Sequence, residues 1–172
     1  SRFARHAGFA DQTGDMEATI SAWERACELD PQSPTHLAHL ALTLIDVGRT
    51  ADAQARLTTN TLAIDHPLLT VAKARLFMHR NDIEAARDEI IQSLQVYLGD
   101  PEIIESAHRT DLIRLIRTLL ELHLPYQATR ANELGLSQWP NDPDLLGLLR
   151  DTQTAALELD SAIDTANLIV AL

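Results

Sequence analysis

His36 and His39 lie three residues apart, which on a helix places two imidazoles on one face at a spacing able to hold a metal ion. Such a site needs further ligands, and none stands in phase with the pair. Glu105 and His108 repeat the Glu-x-x-His spacing of di-iron bundles, yet those centres require a second such pair and two more carboxylates. Cys27 is the one cysteine, so no disulfide can close within the chain and no cysteine-based metal site can form. It falls inside an apolar helical stripe with Ile20, Trp23 and Ala26, the setting of a structural thiol rather than a nucleophile. Neither a glycine-rich phosphate loop, a nucleophile elbow nor a His-Glu-x-x-His stretch occurs. The residues therefore assign no catalytic group, metal or cofactor, and the expectation is a protein that is not an enzyme.

The elements that position these side chains must be helical. Among 172 residues there are 28 Leu and 24 Ala, but only 6 Gly and 7 aromatic residues. Ala and Leu favour helices, whereas sheets draw on β-branched and aromatic residues. With 14 basic and 25 acidic residues the net charge is −11. That sign excludes a phosphate-backbone binder, whose affinity rests on clustered Lys and Arg. No run of 18 apolar residues is present, so nothing in the sequence reads as a membrane-spanning helix. Lys73 is the single lysine against 13 Arg, a bias that points to a GC-rich bacterial genome. The chain opens at Ser1 without the layout of a signal peptide, and its cysteine usage fits cytoplasm and periplasm equally.

A repeat dominates the sequence. Gly14-Asp15-Met16-Glu17-Ala18, Gly48-Arg49-Thr50-Ala51-Asp52 and Asn81-Asp82-Ile83-Glu84-Ala85 each read as a short turn followed by a helix. His123-Leu124-Pro125-Tyr126 and Leu157-Glu158-Leu159-Asp160 continue the series, so turns are expected at 14, 48, 81, 123 and 157. The intervals are 34, 33, 42 and 34 residues. Prolines mark the other boundary: Asp30-Pro31, His66-Pro67, Asp100-Pro101, Pro140 and Asp142-Pro143. Proline suits the first helical turn, and Asp before it can cap that helix. Between these marks apolar residues recur at three- and four-residue steps, as in Leu112, Leu115, Ile116 and Leu119. The repeating unit is helix, tight turn, helix, proline.

This pattern resembles the tetratricopeptide repeat (TPR) along the whole chain. The family's small residue, turn Gly, aromatic, Ala and Pro fall on Ala7, Gly14, Trp23, Ala26 and Pro31 in the first unit. The second carries Ala41, Leu44, Gly48, Ala53 and Leu57, the third Ala74, Phe77, Ala86 and Ile90, the fourth Ala128 and Pro140, and the fifth Ala162. The resemblance implies an all-α, right-handed solenoid of about five repeats, approximately 1–32, 33–66, 67–100, 101–140 and 141–172, within a single domain. Small residues at Ala41, Ala74, Ala53 and Ala86 would let paired helices approach, with Trp23, Leu57 and Phe77 filling the gap to the next unit. For the 42-residue interval we expect an elongated first helix in the fourth unit, or a short extra helix before it.

In the family, first helices line a groove that holds a segment of a partner protein. By phase, that groove would carry Thr35, Ala38, Leu42, Ile45 and Asp46, then Leu68, Val71, Arg75, Met78 and His79, then Ile113, Arg117, Leu120 and Glu121. An aliphatic strip beside Arg75 and Arg117 would suit a peptide with apolar anchors and a carboxylate. The Lys and Asn of the family's carboxylate clamp are replaced here by Ala4, Gly8 and His39, which argues against that specialisation. The functional expectation is a protein–protein interaction scaffold. Two others remain open at this level: a TPR segment of a bacterial export or exopolysaccharide-secretion machine, or of a TPR-fused enzyme or regulator.

The apolar stretch Ala166-Asn167-Leu168-Ile169-Val170-Ala171-Leu172, and Phe3 and Phe9 at the other end, read as uncapped ends. They suggest a fragment of a longer solenoid, able to self-associate through those ends. The sequence as a whole predicts a far-ultraviolet circular dichroism spectrum dominated by helix; an appreciable strand signal would contradict it.

Overall fold

A computed structural model describes the backbone at residues 15–59, 66–99 and 108–170, and the side chains at 15–58, 66–96, 108–158 and 160. Eight helices and no strand occur among the described residues. They are α1 (Met16–Leu29), α2 (Pro34–Asp46), α3 (Thr50–Thr59), α4 (Pro67–His79), α5 (Ile83–Gly99), α6 (Arg109–Glu121), α7 (Pro125–Gln138) and α8 (Pro143–Val170). Gly14, Phe3, Phe9, Ala4 and Gly8 lie outside the described residues, as do Glu105 and Pro101, and the side chains of Leu168 and Ile169.

One backbone position recurs. Gly48, Asn81 and His123, with φ of 81°, 59° and 55°, each follow the end of a first helix. These are three of the five expected turn positions. Glycine enters the left-handed region at no steric cost, and a short polar side chain such as Asn tolerates it. The next amide then reaches back five residues: Arg49 N–H to Leu44 O at 2.8 Å, Asp82 N–H to Phe77 O at 3.0 Å, Leu124 N–H to Leu119 O at 2.9 Å. These bonds satisfy carbonyls that the helix end would leave open. The chain is turned, and the second helix starts two residues after each left-handed residue.

Helix starts are capped locally. The Asp15, Asp82 and Asp142 carboxylates accept from the amides of Ala18, Ala85 and Leu145 at 3.1, 3.2 and 3.0 Å. Pro67 and Pro143 open α4 and α8 as expected. The first boundary differs. Pro31 stands in the turn, and α2 opens at Pro34 with Ser33 as its cap, accepting from His36 N–H at 3.3 Å. Serine before proline supplies both the side-chain acceptor and the preset φ, so the helix starts there instead.

The chain divides into two compact units, residues 1–93 and 94–172. In the first, α2 packs on α1, α3 and α4, and Lys73 of α4 pairs with Glu89 of α5 at 3.0 Å. Ala26, Ala41, Ala53, Ala74 and Ala86 are all 0 % exposed, the close approach that small residues were expected to permit. Trp23 is 7 % exposed, while Leu57 and Phe77 are half-buried. In the second unit α7 packs on both α6 and α8. Gly135 makes that possible: a Cβ there would stand 2.7 Å from Leu112 Cδ2 and 3.1 Å from Leu145 Cδ1. Asn132, fully buried, donates to Leu145 O at 3.0 Å and ties α7 to the start of α8.

Of the two accounts of the 42-residue interval, the elongated first helix does not hold, since α6 has 13 residues like α2 and α4. The other, a short extra helix before it, falls on residues 100–107, outside the described residues. Part of the extra length lies in α5, which runs for 17 residues. The expected turn at Leu157 is also absent, because α8 continues for 28 residues through it. Leu157 occupies the place of Gly48, Asn81 and His123, but a leucine in the left-handed region costs roughly 1–2 kcal/mol with no local hydrogen bond to offset it. Leu157-Glu158-Leu159-Asp160 holds no Gly or Pro to stop a helix, so the helix goes on.

Trp23→Ala is expected to cost about 3–5 kcal/mol, the usual loss on emptying a buried aromatic site. Chemical denaturation measures it, and a loss below about 1 kcal/mol would place Trp23 outside the core.

Candidate partner-binding site

The surface that first helices offer is narrower than the aliphatic pattern implies. Leu42 and Ile45 of α2 and Val71 of α4 are at most 6 % exposed, and so is Ile113 of α6. Ala38 and Leu68 are 0 % exposed. These residues are buried within the chain itself, where the sequence pattern expects an apolar strip open to a partner. A helix buried on two faces carries aliphatic residues on both, so residue type does not separate core from groove.

What remains accessible is polar and basic. In the first unit Asp46 and His79 are exposed, Arg75 and Met78 half-buried, and Thr35 meets His66 Nε2 at 3.3 Å. In the second, Arg117 and Glu121 are exposed and Leu120 is half-buried. Two first helices, α4 and α6, carry a net positive charge. In a chain of net charge −11, α4 carries Lys73 and Arg75 with no carboxylate at all. On α6, Arg109, Arg114 and Arg117 stand against Glu121 and a buried Asp111. On α1, a second helix, Glu17, Glu24 and Glu28 outnumber Arg25.

The histidine pair is explained by packing. The His39 ring stacks on Trp23 with centroids 4.5 Å apart and planes within 8°, and His36 lies 6.0 Å from the same indole. Among the described residues no group of three His, Cys, Asp or Glu could hold a metal ion. Burial pushes the Cys27 thiol up to about 11, so it stays protonated at neutral pH and is a poor nucleophile.

Two features carry no signal in the apolar pattern. Asp111, 3 % exposed in the first turn of α6, has an Oδ2 without a hydrogen-bond partner. Burial raises its pKa above the ordinary carboxylate value, opposed by the nearby charges of His108 and Arg114. The second is a cleft of about 590 Å³ between α7 and α8, lined by Tyr126, Arg130 and Glu133 on one side and Gln153, Ala156 and Leu157 on the other. Tyr126 is 49 % and Leu157 69 % exposed, and the Tyr126 hydroxyl donates to the Asp160 carboxylate across the cleft.

Comparison with known proteins agrees on the architecture. A thermophilic TPR protein of Thermus thermophilus superposes with a TM-score of 0.60 at 18 % identity, covering 95 % of this chain and 86 % of that one. This is the TPR fold. The assembly chaperone of RpL4 (Acl4) aligns at 0.56 and 14 % identity over 92 % of this chain and 83 % of that one. The Cut9–Hcn1 hetero-tetramer of the APC/C aligns at 0.53 and 17 % identity over 85 % of this chain and 28 % of that one. No family model matches the sequence, and no curated protein matches it significantly. At such identities the likeness concerns the TPR fold itself.

Asp111 gives a pH signature to this fold. With its folded pKa raised, its contribution to stability is complete below the unfolded value of about 3.9 and is lost as pH rises through the folded value. Asp111→Asn should therefore stabilise the protein at pH 7 by on the order of 1 kcal/mol, with a smaller gain near pH 4. Denaturant titrations at the two pH values check this; an equal or larger gain at the lower pH would contradict it.

Proposed function

We propose that this chain is a non-catalytic scaffold that holds an extended or helical segment of another protein against its first helices. The observation that carries this reading is the net positive charge of α4 and α6 in a strongly acidic chain, with Arg75 half-buried and Arg117 exposed. A guanidinium fork fits a carboxylate in two parallel hydrogen bonds, and it is the stronger for being pre-shaped. Met78 and Leu120, half-buried one turn further along their helices, offer flexible apolar contact beside those forks. The partner segment this surface suits carries an acidic residue next to an apolar anchor. In the first unit Asp46 and His79 stand exposed at the ends of α2 and α4.

Two proteins with this fold are named for protein partners, the assembly chaperone of RpL4 and the Cut9–Hcn1 hetero-tetramer, which is in keeping with a scaffold.

A displayed library of random peptides tests this. Peptides selected on the wild-type chain should be enriched in Asp or Glu beside Leu, Ile or Phe. Against Arg75→Glu/Arg117→Glu their affinity should fall at least tenfold, about 1.4 kcal/mol, with an unchanged melting temperature. Selected peptides that bind the double variant equally well would place the binding surface elsewhere.

A further inference from the structure

The repeat register states what the α7–α8 cleft is for. In the described units the second helix starts sixteen residues after the first: Pro34 and Thr50, Pro67 and Ile83, Arg109 and Pro125. Sixteen residues after Pro143 is Leu159, in the middle of α8. The fourth residue of each second helix is Thr19, Ala53, Ala86 or Ala128, each 0 % exposed. The fourth residue from Leu159 is Ala162, followed at helical spacing by Ala166 and Ile169. Residues 159–170 are thus written as a second helix.

The place that such a helix would occupy is visible in the first unit. Glu24, ninth in α1, pairs with Arg56 of the next second helix, α3, at 2.9 Å. Glu133 is ninth in α7 and lines the cleft. The cleft is therefore the seat of the next second helix. Because Leu157 keeps α8 straight, Asp160 still lines the cleft and accepts from Tyr126, but the helix beyond it runs on without folding back into the seat.

We infer that a second copy of this chain fills the cleft by reciprocal exchange, each molecule laying residues 159–170 of its α8 between α7 and α8 of the other. Opening a helical hairpin into one straight helix keeps the hairpin's contacts but delivers them to another molecule, and a two-fold axis closes the pair. The axis would pass near the link at Leu157, whose exposed side chain then meets its own counterpart. By register Thr165, seventh from Leu159, corresponds to Arg56, seventh in α3. The inference needs no peptide ligand and stands apart from the scaffold reading, since its test measures mass and cross-links alone.

The wild-type chain should sediment as a dimer, at twice its 19.0 kDa mass. Leu157→Gly gives the link the residue found at Gly48, so the hairpin can close on its own cleft. That variant should sediment as a monomer with undiminished helical circular dichroism. A monomeric wild type, or a folded variant that stays dimeric, would overturn the exchange. A second arm leaves the link untouched. In a Cys27→Ala background, Glu133→Cys chains mixed with Thr165→Cys chains should oxidise to a disulfide-linked pair. Absence of that pair, or a doubly substituted chain that closes within one molecule, would equally overturn it.

Discussion

Each described turn from a first helix to its second depends on one residue in the left-handed region. At Gly48, Asn81 and His123 that conformation ends a first helix, returns an amide to a carbonyl five residues back, and starts the second helix two residues later. Everything in a TPR unit follows from that reversal. Only after it can the alanines of adjacent helices face one another, and only then does an apolar stripe on one helix find a partner to cover it. Where the same place holds Leu157, the reversal fails and α8 runs on. One side chain thus separates a closed repeat from an open cleft.

The same close packing also constrains the buried polar groups. Helices that approach over alanine leave little room for polar side chains, and those that are buried are committed to packing. His39 stacks on Trp23, Asn132 reaches the Leu145 carbonyl, and Cys27 is held as a protonated thiol. Asp111 is the exception, a buried carboxylate whose cost is borne by the rest of the second unit. The accessible residues of first helices include Arg75, Arg117, Met78 and His79 beside Asp46 and Glu121.

Much of this was legible in the sequence, because turn chemistry is local. Glycine, asparagine or proline at fixed spacing names the turns at 48, 81 and 123, and Ala53, Ala86 and Trp23 follow as core by phase. Periodicity misplaces a turn at Leu157 for a related reason: it supplies the position but says nothing of whether the residue there can adopt positive φ. The groove was legible only in part. Leu42, Ile45, Val71 and Ile113 have the identity and spacing of binding residues, yet two packing faces of one helix draw on the same aliphatic side chains. Burial separates them, and burial is a property of the neighbours. The α7–α8 cleft had no motif because it is made by a missing turn.

The most direct test of the central claim is backbone NMR of the wild-type chain, through Cα chemical shifts and φ-dependent couplings from Ala155 to Ala162. Unbroken helical values through Leu157 and Glu158, with positive φ at Gly48, Asn81 and His123, are the predicted result. Positive φ or coil values at Leu157 would show that leucine accepts the turn after all, and would contradict the account.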